Sequence, residues 1–335
     1  MTGELASTGG PLHEAHDAIL LDLDGVVYLG PHAVPGAADA LRAAVAAGSR
    51  PAYLTNNAAR TAVTVAQHLR DLGMPVDDDD AVVTSAQAIA RVMADDLAAG
   101  ARVLVVGAEG LSEPLRDAGL VPVRSLDDAP VAVVQGFDPD TSWHQLAEAA
   151  YAVQAGLPWY ASNSDRTVPT PRGIAPGNGA LVETVRIATG AEPVIAGKPE
   201  RPLFDETLRR IAAERPLMVG DRLDTDIDGA IGAGIPSLVV LTGVSTLAEM
   251  FSLAPPRRPD FIAYDLGGLG QVHEPVDIDG DTARCAGMVA TLDDGRIEVD
   301  ADPRAVGALR AALQLAWSIR DASGADVIPG GTLDL

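Results

Sequence analysis

Short apolar runs of strand length alternate along this chain with longer stretches whose apolar residues recur at helical spacing, separated by polar or glycine-rich breaks. The first run, Ala18-Ile19-Leu20-Leu21, ends in Asp22 and Asp24 with Gly25 behind them. It reads as a buried strand that delivers two carboxylates at its C-terminal edge. A Gly/Pro-punctuated loop over 28–36 precedes an Ala-rich helix over 37–47, which Gly48 ends. The run 50–54 is a second strand, delivering Thr55-Asn56-Asn57 ahead of a helix over 61–72. A hydroxyl and open N–H groups at a helix start suit a phosphate oxygen, and an ordinary Thr/Asn helix cap has the same pattern.

From Thr84 onward the strand and helix rhythm restarts, with strands at 102–106, 131–134 and 159–161 and helices at 111–118 and 142–155. The block 86–192 therefore reads as an inserted α/β domain. It closes with a long, polar, Pro-stiffened loop over 162–173 and a helix over 180–188. Beyond Gly197-Lys198-Pro199 come a helix at 203–213, a strand at 216–219, a loop carrying Asp221, Asp224 and Asp226, and a strand at 237–241, with 259–262 closing the domain. The outer segments, 13–85 and 193–270, are expected to form one doubly wound parallel sheet, an α/β core. Residues 271–335 are a small extension: a hairpin from 285–291 and 296–299, then an amphipathic helix over 304–320 with Val306, Leu309, Leu313, Trp317 and Arg320 on one stripe. Residues 1–12, polar and Gly-rich without an apolar stretch, are expected as a disordered tail.

Composition narrows the partners. The 335 residues suffice for two or three domains, and 47% of them are hydrophobic. A net charge of −23 sets aside nucleic acid and anionic membrane surfaces as main partners, and no run is long enough to span a membrane. An anionic substrate must meet local positive charge from a metal, a cationic side chain or backbone N–H groups. Cys285 is the single cysteine, which rules out an internal disulfide and fits a reducing, cytoplasmic setting. Of the 24 Lys plus Arg residues only Lys198 is lysine. Where Arg supplies every other cation, the retained ammonium is a candidate for work that a planar guanidinium cannot do.

Acidic patterns need context. Asp-x-Asp-Gly occurs at Asp22, Asp226 and Asp277, but only the copy at Asp22 follows an apolar strand. Asp77 to Asp80 are adjacent, so their carboxylates point apart and read as a solvated loop. Asp224, Asp226, Asp228 and Gly229 open like a calcium loop, but its twelfth position is Ile235 where a Glu is required. Six histidines and one cysteine show no zinc spacing. What remains is four apolar segments delivering Asp22/Asp24, Thr55/Asn56, Lys198 and Asp221/Asp226, which a doubly wound sheet would gather on one rim.

This ordered set resembles the haloacid dehalogenase superfamily of phosphatases, with Asp22-Leu23-Asp24-Gly25 as first motif, Thr55 as second, Lys198 as third, and Gly220-Asp221 with Asp226 as fourth. Leu54-Thr55-Asn56-Asn57, Gly197-Lys198-Pro199 and Gly220-Asp221-Arg222-Leu223 narrow it to the IIA subclass, which inserts a C2 cap between second and third motifs. The resemblance covers about residues 15 to 270. It implies a Rossmann-like core at 13–85 and 193–270, a C2 cap at 86–192 and a Mg²⁺-dependent phosphoric monoester hydrolase. In that reading Asp22 attacks phosphorus to form an aspartyl-phosphate, and Asp24 serves as acid and then base. Asp22, the backbone carbonyl of Asp24 and Asp221 face Mg²⁺, with Asp226 behind them. Thr55, Asn56 and Lys198 hold the phosphoryl group. The cap selects the leaving group, with Asn163, Asp165, Arg166 and Val168 as contacts. Cap-core packing is the competing reading of that loop.

The resemblance further implies a small-molecule phosphate ester as substrate, glycerol 3-phosphate first, then phosphoglycolate, pyridoxal phosphate or another sugar or nucleotide phosphate. Arg- and Ala-rich glycerol 3-phosphate phosphatases carry a comparable C-terminal tail. The extension is expected to dock on the core, pair with another subunit or recruit a partner, and a homodimer would form through the cap or the extension. Two other readings compete: a phosphotransferase or mutase using the same intermediate, and a signalling module phosphorylated on Asp22. Asp24 and the inserted block argue against the signalling module, because a positioned acid/base speeds turnover.

Overall fold

The computed structural model describes residues 3–170, 172–333 and 335. The chain divides into two compact units: Met1–Ala52 with Leu72–Pro75 and Ala213–Leu335, and Tyr53–Asp71 with Val76–Ala212. In the first unit, parallel strands run in the order Phe261–Ala263, Ser237–Val240, Pro216–Gly220 and Ala18–Asp22, followed by the first half of Arg50–Thr55. Phe261–Ala263, Ser237–Val240 and residues 217–220 and 18–21 are buried throughout, as strands of a parallel sheet covered on both faces must be, whereas Arg50 is exposed and Pro51 half-buried. The chain leaves Ala18–Asp22 toward Arg50–Thr55 and later returns on its opposite side through Pro216–Gly220. The fold is thus the doubly wound α/β arrangement expected from sequence, with its switch point between those two neighbours.

The second unit begins with the end of Arg50–Thr55, which pairs in parallel with Val82–Thr84. Thr84 then caps the helix Ser85–Asp96 in a reciprocal pair with Gln87. A five-stranded parallel sheet follows, in the order Val194–Ile195, Trp159–Ala161, Ala132–Gln135, Arg102–Val106 and Val121–Val123. The loop expected over 162–173 is instead largely an antiparallel hairpin, Thr167–Thr170 with Gly173–Pro176. Its β-branched Thr167, Val168, Thr170 and Ile174 favour pleated backbone, and the two prolines are tolerated because a two-stranded ribbon has only edges. Pro171 lies outside the described residues.

Residues 277–335 form more than a hairpin and a helix. Five strands lie in chain order, Asp277–Asp279, Thr282–Cys285, Met288–Asp293, Arg296–Val299 and Ile328–Pro329. The strand expected over 285–291 is broken because Ala286 and Gly287 both take positive φ, 50° and 79°, as Asp294 and Gly295 do at the next turn. The helix Val306–Ser323 does not present one apolar stripe: every residue from Val306 to Trp317 is buried. The extension's strands pack against it together with Phe261–Ala263 and Leu247–Phe251. Its polar residues are bonded inside: Arg310 donates to Glu274 O and Ala6 O, and Gln314 Oε1 accepts from Leu5 N. Of the tail expected to be disordered over 1–12, residues 1 and 2 lie outside the described residues, and the described part is instead held in place. Ala6 N donates to Asp260 O, Thr8 N to His273 O and Leu12 N to Gln271 O, so backbone bonds hold a stretch whose side chains give no such signal. Among the described residues no helix is long and apolar enough to cross a membrane.

Candidate active site

The switch point brings acids together. Leu21 pairs with Val219, which sets Asp22 beside Gly220 and next to Asp221. One oxygen from each of Asp22, Asp221 and Asp226 lies within 4.8 Å of the others. Asp221 and Asp226 are fully buried and Asp22 is half-buried. Asp226 reaches this place through a widened turn, in which Asp226 N and Ile227 N both donate to Arg222 O at 3.0 and 3.2 Å. Such π-type turns recur at functional sites because they re-aim a side chain without ending the helix.

Backbone groups fix the acids. Arg222 N donates to Asp226 Oδ2 at 3.1 Å, Val244 N to Asp221 Oδ2 at 2.7 Å and Ser245 N to Asp221 O at 3.0 Å. Three glycines make room for them. A Cβ at Gly25 or Gly243 would run into the Asp221 carboxylate, and one at Gly220 into Asp226. Asp224 points elsewhere, its oxygens accepting from Arg222 Nε and Nη2 at 3.1 and 2.9 Å. Partial burial pushes its carboxyl up, but the Arg222 bonds outweigh this and hold it below the usual carboxylate range. Exposed Asp24 sits on a tight turn, where Val27 N and Tyr28 N share Leu23 O and Gly25 N donates to Tyr28 O. All-oxygen carboxylate donors this close suit a hard divalent cation such as Mg²⁺.

The second unit carries a separate polar cluster. Thr55 is 4%, Asn56 8% and Lys198 2% exposed. Lys198 N donates to Asn56 Oδ1 at 2.8 Å, and Asn56 Nδ2 donates to Lys198 O at 3.0 Å and to Asp165 Oδ1 at 3.1 Å. Thr55 Oγ1 accepts from Asn57 N at 3.0 Å.

Two family models match the chain, one described as haloacid dehalogenase-like hydrolase over residues 19–121 and a related one over 195–269. The D-glycerol 3-phosphate phosphatase of Mycobacterium tuberculosis is 48% identical over 258 residues, which cover 77% of this chain and 72% of that protein. The chain belongs to the haloacid dehalogenase-like hydrolases.

Other members of this hydrolase family extend the match. An acid sugar phosphatase of Staphylococcus aureus is 35% identical over 237 residues, 70% of this chain and 90% of that protein. The crystal structure of a glycerol phosphate phosphatase from Mycobacterium tuberculosis in complex with magnesium aligns with a TM-score of 0.81 at 41% identity, covering 92% of each chain. A p-nitrophenyl phosphatase from Archaeoglobus fulgidus gives 0.70 at 27% identity, covering 76% of this chain and 98% of that one.

Within this hydrolase frame, the expected site residues lie as follows. Asp22, Asp221 and Asp226 are together in the first unit, with Asp24 two residues on from Asp22. Thr55, Asn56, Lys198, Asn163 and Asp165 are in the second, most of them joined through Asn56. The helix after Thr55 begins only at Ala62, so its N-terminal N–H groups are not those beside Thr55 and Asn56. Asn163 is 3% exposed, its Nδ2 donating to Asn56 O and its Oδ1 accepting from Asp165 N. Arg166 is exposed and Val168 half-buried on the hairpin. Sequence reasoning missed the loop 242–245 that holds Asp221, and Asn178. Neither carries a residue type that marks chemistry.

Proposed function

We propose that this chain is a Mg²⁺-dependent phosphatase of small phosphate monoesters, working through an aspartyl-phosphate on Asp22, with glycerol 3-phosphate as first substrate. The observation that carries the reading is the Asp22, Asp221 and Asp226 cluster at the switch point. The relatives named for glycerol phosphate, acid sugar and nitrophenyl phosphatase activity support it.

Asp22, Asp221 and Asp226, with the backbone carbonyl of Asp24, would hold the metal, and Mg²⁺ bound there supplies Lewis-acid neutralisation of phosphoryl oxygens. Asp22 offers a carboxylate oxygen to phosphorus. The leaving alcohol takes its proton from Asp24, which then takes one from the water that hydrolyses the acyl phosphate. Exposure of Asp24 leaves it reachable by both. Thr55, Asn56 and the Lys198 ammonium hold the phosphoryl oxygens, and the compact ammonium suits crowded anionic oxygens better than a guanidinium.

In this reading residues 86–192 form the cap over a core of 13–85 and 193–270, Arg166 and Val168 contact the leaving group, and Asn163 and Asp165 shape the turn beneath them. A homodimer through the cap is favoured by the exposed Trp143, Tyr151 and Ile187, and sedimentation reads it directly. The buried, unpaired Cys285 supports a reducing, cytoplasmic setting.

A panel of phosphate esters, including glycerol 3-phosphate and phosphoglycolate, assayed for inorganic phosphate with Mg²⁺, tests the proposal. Release from a small ester, with glycerol 3-phosphate preferred, is the expected result. No release from any ester, with a long-lived phosphorylated protein, would overturn it in favour of the signalling module.

A further inference from the structure

Three buried asparagines form a relay in the second unit. Asn178 Nδ2 donates to Asn163 O at 2.8 Å, Asn163 Nδ2 to Asn56 O at 2.7 Å, and Asn56 Nδ2 to Lys198 O at 3.0 Å. Lys198 N closes the chain by donating to Asn56 Oδ1 at 2.8 Å. Asn178 is 1% and Asn163 3% exposed. Every forward link ends on a backbone carbonyl, so the relay sets where the chain runs at 163, 56 and 198.

The head of the relay is itself held. Asn178 opens the helix Asn178–Thr189, just after the hairpin Thr167–Thr170 and Gly173–Pro176. Gly177 N donates to Arg166 O and Gly179 N to Asp165 O, both at 2.8 Å. A Cβ at Gly177 would meet Asp165 O and Thr167, and one at Gly179 would meet Ser164 O. The helix start is thus zipped to the foot of the hairpin, and Asn178 hands that position on to Asn163.

The amide of Asn178 has one workable orientation. Its Oδ1 accepts from none of the described residues, and turning the amide over would set that oxygen against Asn163 O, acceptor against acceptor. A buried acceptor without a protein donor costs stability, which an apolar residue at 178 would avoid. The side chain is therefore retained for its donor.

We propose that Asn178 is a positioning residue for Lys198 and for the turn at 163–165, coupling the placement of the hairpin to that of the lysine. This rests on the phosphatase reading above.

The test compares wild type with Asn178→Ala, Asn178→Ser, Asn163→Ala and the Asn163→Ala/Asn178→Ala double variant. Two readouts are taken: steady-state hydrolysis of a phosphate ester and amide hydrogen exchange over residues 195–199. Asn178→Ala is expected to lose about 10- to 100-fold in kcat/KM, mostly in kcat, as sub-ångström misplacement of a charge-stabilising group does. The Mg²⁺ concentration for half-maximal activity stays unchanged. The double variant falls no further than the worse single one, because both cut the same relay. Exchange at 195–199 quickens in every variant.

A folded Asn178→Ala protein with exchange and kcat/KM both within twofold of wild type would overturn the proposal. Loss of folding in both Asn178 variants would assign the relay to stability alone, and also overturn it. If wild type hydrolyses no ester, the phosphatase reading fails and the exchange readout by itself decides the relay.

Discussion

Val244 N donates to Asp221 Oδ2 at 2.7 Å, from a loop in which Gly243 has no side chain to offer because the Asp221 carboxylate occupies that space. The buried Asp221 carboxylate and this loop are therefore one fitted unit. Gly243→Ala must displace either the loop or Asp221. We expect about a 10- to 100-fold loss in Mg²⁺ affinity, the usual cost of disturbing what orients a metal ligand. Titrating Mg²⁺ against the thermal midpoint measures it directly, and an unchanged midpoint gain would show that Asp221 tolerates the shift.

Asp22→Asn keeps the shape of the side chain and removes the carboxylate oxygen proposed to attack phosphorus. Phosphate release is expected to fall by about 10⁴-fold or more, the scale on which nucleophile loss is felt in covalent catalysis. Circular dichroism should show the fold intact. Retained turnover would move the nucleophile elsewhere.

Lys198→Arg tests whether the single lysine is there for its shape. The side chain is 2% exposed, and Asn56 holds its backbone N–H and carbonyl. The larger guanidinium therefore has no slack to take up. A drop in kcat of about 10²- to 10³-fold is expected, comparable with losing one donor from a charge-stabilising site. Near-normal kcat would make the lysine interchangeable with the arginines used everywhere else.

His273 gives the fold an acid limit. It is fully buried, and its Nε2 donates to Gly268 O at 3.0 Å while Nδ1 faces Arg310 Nη1 at 3.4 Å. Burial first, and the Arg310 charge with it, pull the imidazole down to about 4, against an opposing contribution from the Gly268 bond. A base whose folded pKa is depressed stays neutral in the fold while the unfolded chain takes up its proton. Its stability is present above about pH 6.5 and is lost as pH falls toward 4, by about 1.4 kcal/mol per pH unit. Denaturant unfolding of wild type and His273→Asn at pH 7, 6 and 5 isolates this slope. The gap between the two proteins should narrow as the pH falls, and a constant gap would mean that the ring is not the titrating group.

The strand Ala18–Asp22 was legible because Ala18–Leu21 is continuous, apolar and followed by two acids, which is how an enclosed parallel strand must look. Lys198 stood out by counting. Asn178 did not, because an asparagine at a helix start reads as a local cap, and only the tertiary fold brings Asn163 O beneath it. The C-terminal helix misled for a similar reason. Arg310 and Gln314 look like a wet face in sequence, yet they satisfy backbone groups at Glu274, Ala6 and Leu5. The N-terminal stretch was invisible because backbone bonds hold it, and those leave no mark on residue type.

The pairing of Ala18–Asp22 with Pro216–Gly220 also bears on how the protein is made. The strand bearing Asp22 leaves the ribosome early, but its neighbour on that side follows only after some 200 residues, about 10 to 40 seconds at ordinary elongation rates. Until then an apolar strand edge has no partner. Residues 76–212 can compact during that wait, whereas the unit holding Asp22 and Asp221 cannot close. Because its core also takes in apolar residues from Ala308 to Trp317, this half is completed only after Trp317 has been made. Chaperone dependence should therefore follow the delay before Pro216 appears more closely than overall chain length.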